Sequence, residues 1–89
     1  LCYAFNDIAP QAPVHFLVIP KAHIASVAGV NEENSAVVAH IFEVIAGLTR
    51  EKGIESYRVV SNIGEQAGQS VPHLHFHVLS GRDMTWPPG

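Results

Sequence analysis

Three histidines, His73, His75 and His77, alternate with Leu74, Phe76 and Val78 in the run His73-Leu74-His75-Phe76-His77-Val78-Leu79. On an extended strand successive side chains point to opposite faces, so the imidazoles share one face and the apolar residues take the other. A rise of about 3.4 Å per residue spaces neighbouring imidazoles about 7 Å apart. Each step of such a row offers a nucleophile, a proton carrier or a metal ligand that works near neutral pH. Histidine is neither a good strand former nor a good core filler, so packing alone gives little reason for the pattern. Zinc is the rival chemistry, because His-x-His on a strand plus a remote histidine such as His23 supplies three metal ligands. His15 opens an apolar run and His40 sits among apolar neighbours, so both are expected to be partly buried structural residues.

The elements that must carry this row are legible around it. Residues 1–5 read as a strand, and residues 6–13, with two prolines and an Asn-Asp pair, as a loop. Residues 15–19 form a short apolar run closed by Pro20, hence a largely buried strand. Asn31 is expected to cap a helix with Glu32 and Glu33 in its first turn. Val37, Ile41, Ile45 and Leu48 then recur at helical spacing until Gly53 stops the helix. Residues 57–61 alternate as a strand, and residues 62–70 form a loop with two glycines leading into the histidine strand. The order β-β-α-β-β with short connections predicts an α+β fold, an antiparallel meander with one main helix on one face, and a single domain over residues 1–89. A sheet this short leaves exposed edges, which predicts dimerisation.

Composition narrows the function classes. A net charge of -3 with only five Lys and Arg leaves no basic stripe for nucleic acid. No apolar stretch approaches the roughly 20 residues of a membrane-spanning helix. The single cysteine, Cys2, excludes an internal disulfide and suits a reducing compartment, so a cytoplasmic location is expected. The chain opens on the apolar run Leu1-Cys2-Tyr3 without a methionine, so further residues are expected upstream, where a targeting signal would lie.

The run from His73 to Leu79 fits the His-φ-His-φ-His-φ-φ signature (φ apolar) of the histidine triad family, and further blocks resemble it in the expected order. They are Asp7-Ile8-Ala9-Pro10-Gln11-Ala12-Pro13, Phe16-Leu17-Val18-Ile19-Pro20-Lys21, His23-Ile24 and Gly68-Gln69-Ser70-Val71. The ending Gly81-Arg82-Asp83-Met84-Thr85-Trp86-Pro87-Pro88-Gly89 resembles the tail of the Hint branch of that family. The family's N-terminal helix and first strand have no counterpart in this sequence.

What the resemblance implies is a purine nucleoside phosphoramidase. It would cleave the phosphorus–nitrogen bond of adenosine 5′-phosphoramidates or aminoacyl adenylates to AMP and an amine, with no metal or other cofactor. His75 would attack phosphorus and carry the nucleotidyl group until water removes it, which is ordinary covalent catalysis. His77 would lie beside the phosphoryl oxygens, while His73 and His23 orient His75 and shuttle protons. Gly68 would let the backbone approach the phosphate, with Gln69, Ser70 and Asn62 as neutral donors. Asp7 would hold the ribose hydroxyls, or make a local turn, and Phe5 and Ile8 would line the base slot. The Trp86 tail would pack near the active site of a partner in a homodimer with one continuous sheet. Two readings stay beside this one: a dinucleoside polyphosphate hydrolase using the same His75, and a nucleotide-binding sensor or scaffold that does not need catalysis.

Overall fold

The two strands before the helix and the two after it join one antiparallel sheet, in a computed structural model that describes residues 1–89. The elements are β1 (Cys2–Asn6), β2 (Val14–Pro20), α1 (Ser35–Glu51), β3 (Arg58–Val60) and β4 (Phe76–Ser80). Single 3₁₀ turns at Val27–Gly29 and Glu65–Ala67 shape the two long loops.

The α+β class with one main helix agrees with the sequence reading, but the sheet is not a simple meander. Its order is β1-β2-β4-β3, so the histidine strand lies in the interior, bonded to β2 on one side and β3 on the other. The helix and its flanking loops carry the chain past β4's place before β4 fills it. The consequence is functional. A strand hydrogen-bonded along both edges is the stiffest position the sheet offers for His77.

Alternation then divides the two faces. Phe16 and Val18 of β2 and Phe76 and Val78 of β4 join Ile41 and Ile45 of α1, with Ile24 and Leu74, in one buried cluster. The helix covers only this face. His15, Leu17, His77 and Leu79 point the opposite way, since His15 pairs with Leu79 and Leu17 with His77 across β2 and β4. Thr49, buried at 1% exposure, donates its hydroxyl to the carbonyls of Ile45 and Ala46, so the helix accepts a polar residue against the core without an unpaired group.

The start of α1 corrects the sequence reading. Asn31 does cap, since its Oδ1 accepts from the N–H groups of Glu33 and Asn34 at 2.9 and 3.2 Å. However, Asn34 Oδ1 accepts in return from the Asn31 N–H at 2.7 Å. This reciprocal box closes a separate turn, and regular helix begins only at Ser35 behind Asn34. Glu32 and Glu33 therefore precede the helix and are absent from its first turn.

Candidate active site

Regular pairing of β4 begins at Phe76, so His73 and His75 stand just ahead of the strand, contrary to the sequence reading of one strand through all three histidines. Proline explains the boundary. The β2–β4 register, continued, would bring Leu74 opposite Pro20, which has no N–H to give. Leu74 N–H bonds instead to the Ile24 carbonyl at 2.6 Å. Facing nevertheless continues as predicted: Leu74, Phe76 and Val78 are buried, while His73, His75 and His77 are half-buried on the other side. The rings also lean together. The His75 and His77 centroids are 5.0 Å apart, edge to face, closer than a flat strand would set them.

Backbone groups fix the protons on these rings. His75 Nδ1 lies 2.7 Å from the carbonyl oxygen of His73. A carbonyl only accepts, so Nδ1 carries the hydrogen and Nε2 keeps a free lone pair. His73 Nε2 lies 3.1 Å from the Pro20 carbonyl, which places its hydrogen on Nε2. His23, on the exposed loop after β2, stacks at a tilt against His73 with centroids 5.4 Å apart. The carbonyl of His75 itself accepts from the Ser61 hydroxyl at 2.8 Å, so the end of β3 holds the backbone of the middle histidine. Ser61 drew no attention in the sequence, because nothing local marks a serine whose partner is 14 residues on.

His77 has a different neighbour. Its Nδ1 lies 2.9 Å from Nε2 of His15, which is 7% exposed. His15 is thus buried as expected, but it is part of the histidine row and not a detached structural residue. The two residues are 62 positions apart, and only the β2–β4 register brings them together. Asp7 completes the group. Its Oδ2 lies 3.5 Å from His15 Nε2 and 3.9 Å from His77 Nδ1, while Oδ1 accepts the Ala9 N–H at 2.7 Å. The His77 pKa is lowered from its ordinary 6.5, first by burial and then by the neighbouring His75 and His15, with Asp7 opposing.

Asp7, His15 and His77 are also the one set of three whose ligand atoms gather within 4.8 Å; His23, His73 and His75 do not gather so. The donor set fits a metal badly. The Gln11 N–H donates to His15 Nδ1 at 3.0 Å, so that atom must keep its lone pair. A neutral ring then has its hydrogen on Nε2, the atom a metal would need bare.

The expected nucleotide-binding residues divide. Phe5 lines an apolar hollow of about 310 Å³ with Leu17, Ile19, Val71, His73 and His75. Ile8 and Asp7 lie outside it, Ile8 wholly exposed and Asp7 turned toward the His15–His77 pair. Gly68 has φ +94° and lies under the Asn62 side chain, whose Nδ2 would be 3.6 Å from an added Cβ. Gln69 has no free donor. Its amide accepts from the Gly64 N–H at 2.9 Å and donates to the carbonyls of Ala25 and Val71 at 2.8 and 3.1 Å. It clamps the loop before the histidines to the loop after β2. Ser70 is exposed beside it. A second hollow, about 610 Å³, runs between β3 and the tail and is bordered by Asn62, Arg58, Arg82 and Trp86.

An antiparallel sheet backed by one helix, with a row of backbone-oriented histidines on its open face, defines a histidine triad domain. Residues 1–84 match the HIT domain family. The chain is 48% identical over 90 residues to an uncharacterized HIT-like protein of Synechococcus elongatus, covering 100% of this chain and 79% of that one. A crystal structure of a HIT family hydrolase from Legionella pneumophila superposes with a TM-score of 0.95 at 47% identity, covering 99% of this chain and 80% of the other. A HIT family hydrolase from Clostridium thermocellum gives 0.88 at 45% identity, covering 92% and 73%. The chain belongs to the HIT family.

Proposed function

We propose that this protein is a hydrolase of purine nucleoside 5′-phosphoramidates that works through a nucleotidyl intermediate on His75. The observation that carries the reading is the 2.7 Å contact from His75 Nδ1 to the His73 carbonyl. It leaves Nε2 as a bare nucleophilic nitrogen, and as the ring gains positive charge on attack the Nδ1–H bond to that carbonyl strengthens. In the first step the His75 Nε2–phosphorus bond forms, the phosphorus–nitrogen bond breaks and the amine leaves with one added proton. In the second, water adds to phosphorus, the bond to His75 breaks, and the proton released by water restores the balance. With the Gln69 amide spent on the loops, the exposed Ser70 hydroxyl would serve the leaving group and the His77 ring the phosphoryl oxygens. The apolar hollow against His75, with Phe5 on its wall, suits a flat purine.

The HIT family hydrolases among the similar structures support hydrolysis. The tail supports a homodimer built on the free edge of β3. Trp86 is 83% exposed, and Arg58 of β3 holds the Thr85 carbonyl beside it at 3.0 Å. A second copy there would cover the tryptophan and extend the sheet. No helix of the chain is long and apolar enough to cross a membrane. The cytoplasmic location we propose rests on the single cysteine, Cys2, which suits a reducing compartment.

The test is adenosine 5′-phosphoramidate with excess chelator, comparing the protein with His75→Ala, with mass spectrometry for a nucleotidyl adduct. Chelator-resistant turnover that vanishes in the variant, with label on His75, is expected. Faster turnover of dinucleoside polyphosphates would replace the substrate class, and AMP binding without turnover would favour a sensor or scaffold.

A further inference from the structure

Two successive carbonyls of the loop after β2 take donors from the segment that carries the histidines. The Leu74 N–H reaches the Ile24 carbonyl at 2.6 Å, and Gln69 Nε2 reaches the Ala25 carbonyl at 2.8 Å. The same Gln69 nitrogen donates to the Val71 carbonyl at 3.1 Å, while Oε1 accepts the Gly64 N–H at 2.9 Å. In return the backbone N–H of Gln69 donates to the Gly64 carbonyl at 3.0 Å. One residue thus closes the turn over 64–69, holds the Val71 peptide and crosses to the loop that carries His23. The task needs one acceptor and two donors in a plane beyond two methylenes, which is the glutamine amide.

From Val71 the constraint runs on to the middle histidine. The Val71 carbonyl also accepts the His73 N–H at 2.9 Å, and the His73 carbonyl accepts Nδ1–H of His75 at 2.7 Å. Neither step belongs to the β4 ladder, which begins only at Phe76. The orientation of the peptide at Val71 therefore bears on the peptide at His73, and that one on the His75 ring. The Pro20 carbonyl holds the His73 ring and leaves its peptide free to turn.

We propose that Gln69 is a positioning residue which, through the Val71 and His73 peptides, fixes the orientation in which His75 Nε2 meets phosphorus, without itself touching the substrate. This rests on the reading of His75 given under Proposed function. The three inward bonds of the amide are the observation that carries it, since a side chain with every polar atom committed to the loops has no donor left for a ligand. Without the clamp the loop before the histidines and the loop after β2 would move independently. The His73 carbonyl would then hold His75 Nδ1 only part of the time, and a nucleophile that must first reorient attacks more slowly.

The experiment combines NMR of the Gln69 amide and the histidine ring nitrogens in the intact protein with steady-state kinetics on adenosine 5′-phosphoramidate. Gln69→Glu keeps an oxygen for the Gly64 N–H but turns a carboxylate toward the Ala25 and Val71 carbonyls. Near pH 8 it should lower kcat about 10-fold with KM changed less than about 3-fold, and the His75 nitrogens should average between tautomers. Protonation returns one donor. The two carbonyls, and Glu65 in the same turn, favour the protonated form, while His23 and His73 oppose it once charged. The ratio of variant to wild-type kcat should therefore climb as pH falls from about 8 to 5, a recovery that a purely stabilising residue would not give a folded protein. Gln69→Asn, one methylene too short to span Gly64 and Ala25, should share the loss without the recovery. A nuclear Overhauser contact between bound AMP and the wild-type Gln69 amide protons overturns the inference. So does a folded Gln69→Glu protein with full kcat, with an unchanged His75 spectrum or with a flat ratio across pH. If Gln69→Glu does not fold, Gln69→Asn and the wild-type contact with AMP decide. An inactive wild type whose His75 tautomer still depends on Gln69 would refute the proposed reaction and leave the positioning role standing.

Discussion

Removing one hydroxyl tests whether His75, the proposed nucleophile, is held by β3 as the structure indicates. Ser61→Ala deletes the 2.8 Å bond from Oγ to the His75 carbonyl. That carbonyl sits just before the β4 ladder, where no β-strand partner replaces the serine. A lost net hydrogen bond costs about 0.5–1.5 kcal/mol, and an under-satisfied, partly buried carbonyl brings the total to about 1–2 kcal/mol. For a domain of this size that lowers Tm by roughly 4–16 °C. The kinetic effect follows from position. His75 Nδ1 is anchored to the His73 carbonyl within the same short segment, so freeing the His75 peptide lets the ring drift by a fraction of an ångström. A misplacement of 1 Å costs about 100-fold in rate, so a loss of about 10-fold in kcat is expected with KM little changed. Ser61→Thr keeps a hydroxyl and should recover most of the rate. The assays are thermal unfolding and steady-state turnover of the phosphoramidate. A folded Ser61→Ala protein with lowered Tm but full kcat would refute the link between β3 and the nucleophile, and unchanged Tm and kcat would refute the bond itself.

Gly81→Ala should destabilise by about 1–3 kcal/mol in urea unfolding, because the residue has φ +97° and a Cβ there would come within 2.9 Å of Pro13 Cβ. Phe5→Ala opens the wall of the hollow beside His75, so KM for a purine substrate should rise roughly 5- to 10-fold in steady-state assays while kcat holds, the mark of uniform binding. The lowered His77 pKa gives a pH signature with a definite sign. Activity that needs neutral His77 should persist below pH 6.5 and fall only at the lowered value, read from the acid limb of the kcat/KM profile. Stability moves with it: below about pH 6.5 the unfolded chain takes the His77 proton more readily than the folded one, so this group's contribution declines as pH falls until the folded pKa is passed. Urea unfolding of wild type and His77→Phe across pH 5–7.5 checks this, and equal slopes for the two would refute it.

Facing was legible in the sequence, and connection was not. Alternation alone separated Leu74, Phe76 and Val78, at 1%, 5% and 0% exposure, from the histidines between them. The helical stripe likewise found Ile41 and Ile45, both in the buried cluster. Strand order escaped because a period of two says which face a residue takes and nothing about which strand lies alongside. That is why the pattern suggested a meander, and why β4's interior place emerged only from pairing. His15 shows the same limit. At the start of an apolar run it looks structural, and its contact with His77 exists only once β2 and β4 are in register. The family blocks pointed to Gln69 as a donor for substrate, yet its three bonds run inward to Gly64, Ala25 and Val71. A motif marks where a residue is needed without saying which of its atoms are spent.

The atoms spent on backbone groups carry the most chemical information here. Each imidazole has two nitrogens, and the fold commits one of each to a fixed partner: His73 to the Pro20 carbonyl, His75 to the His73 carbonyl, His15 to the Gln11 N–H. Carbonyls impose a hydrogen on the nitrogen they face and an N–H imposes a lone pair, so the remaining nitrogen of each ring has its role assigned before any substrate arrives. The assignments are opposite where opposite chemistry is needed. His75, facing a carbonyl, is left with a bare nitrogen suited to attack. His77, reached from an N–H through one intervening ring, is left with a donor, as the proposed reaction needs beside the phosphoryl oxygens. Three equivalent histidines on a strand cannot be told apart by their side chains. The peptide groups around them, set by Pro20, by the Ser61 hydroxyl and by the loop that Arg82 ties down, make them different.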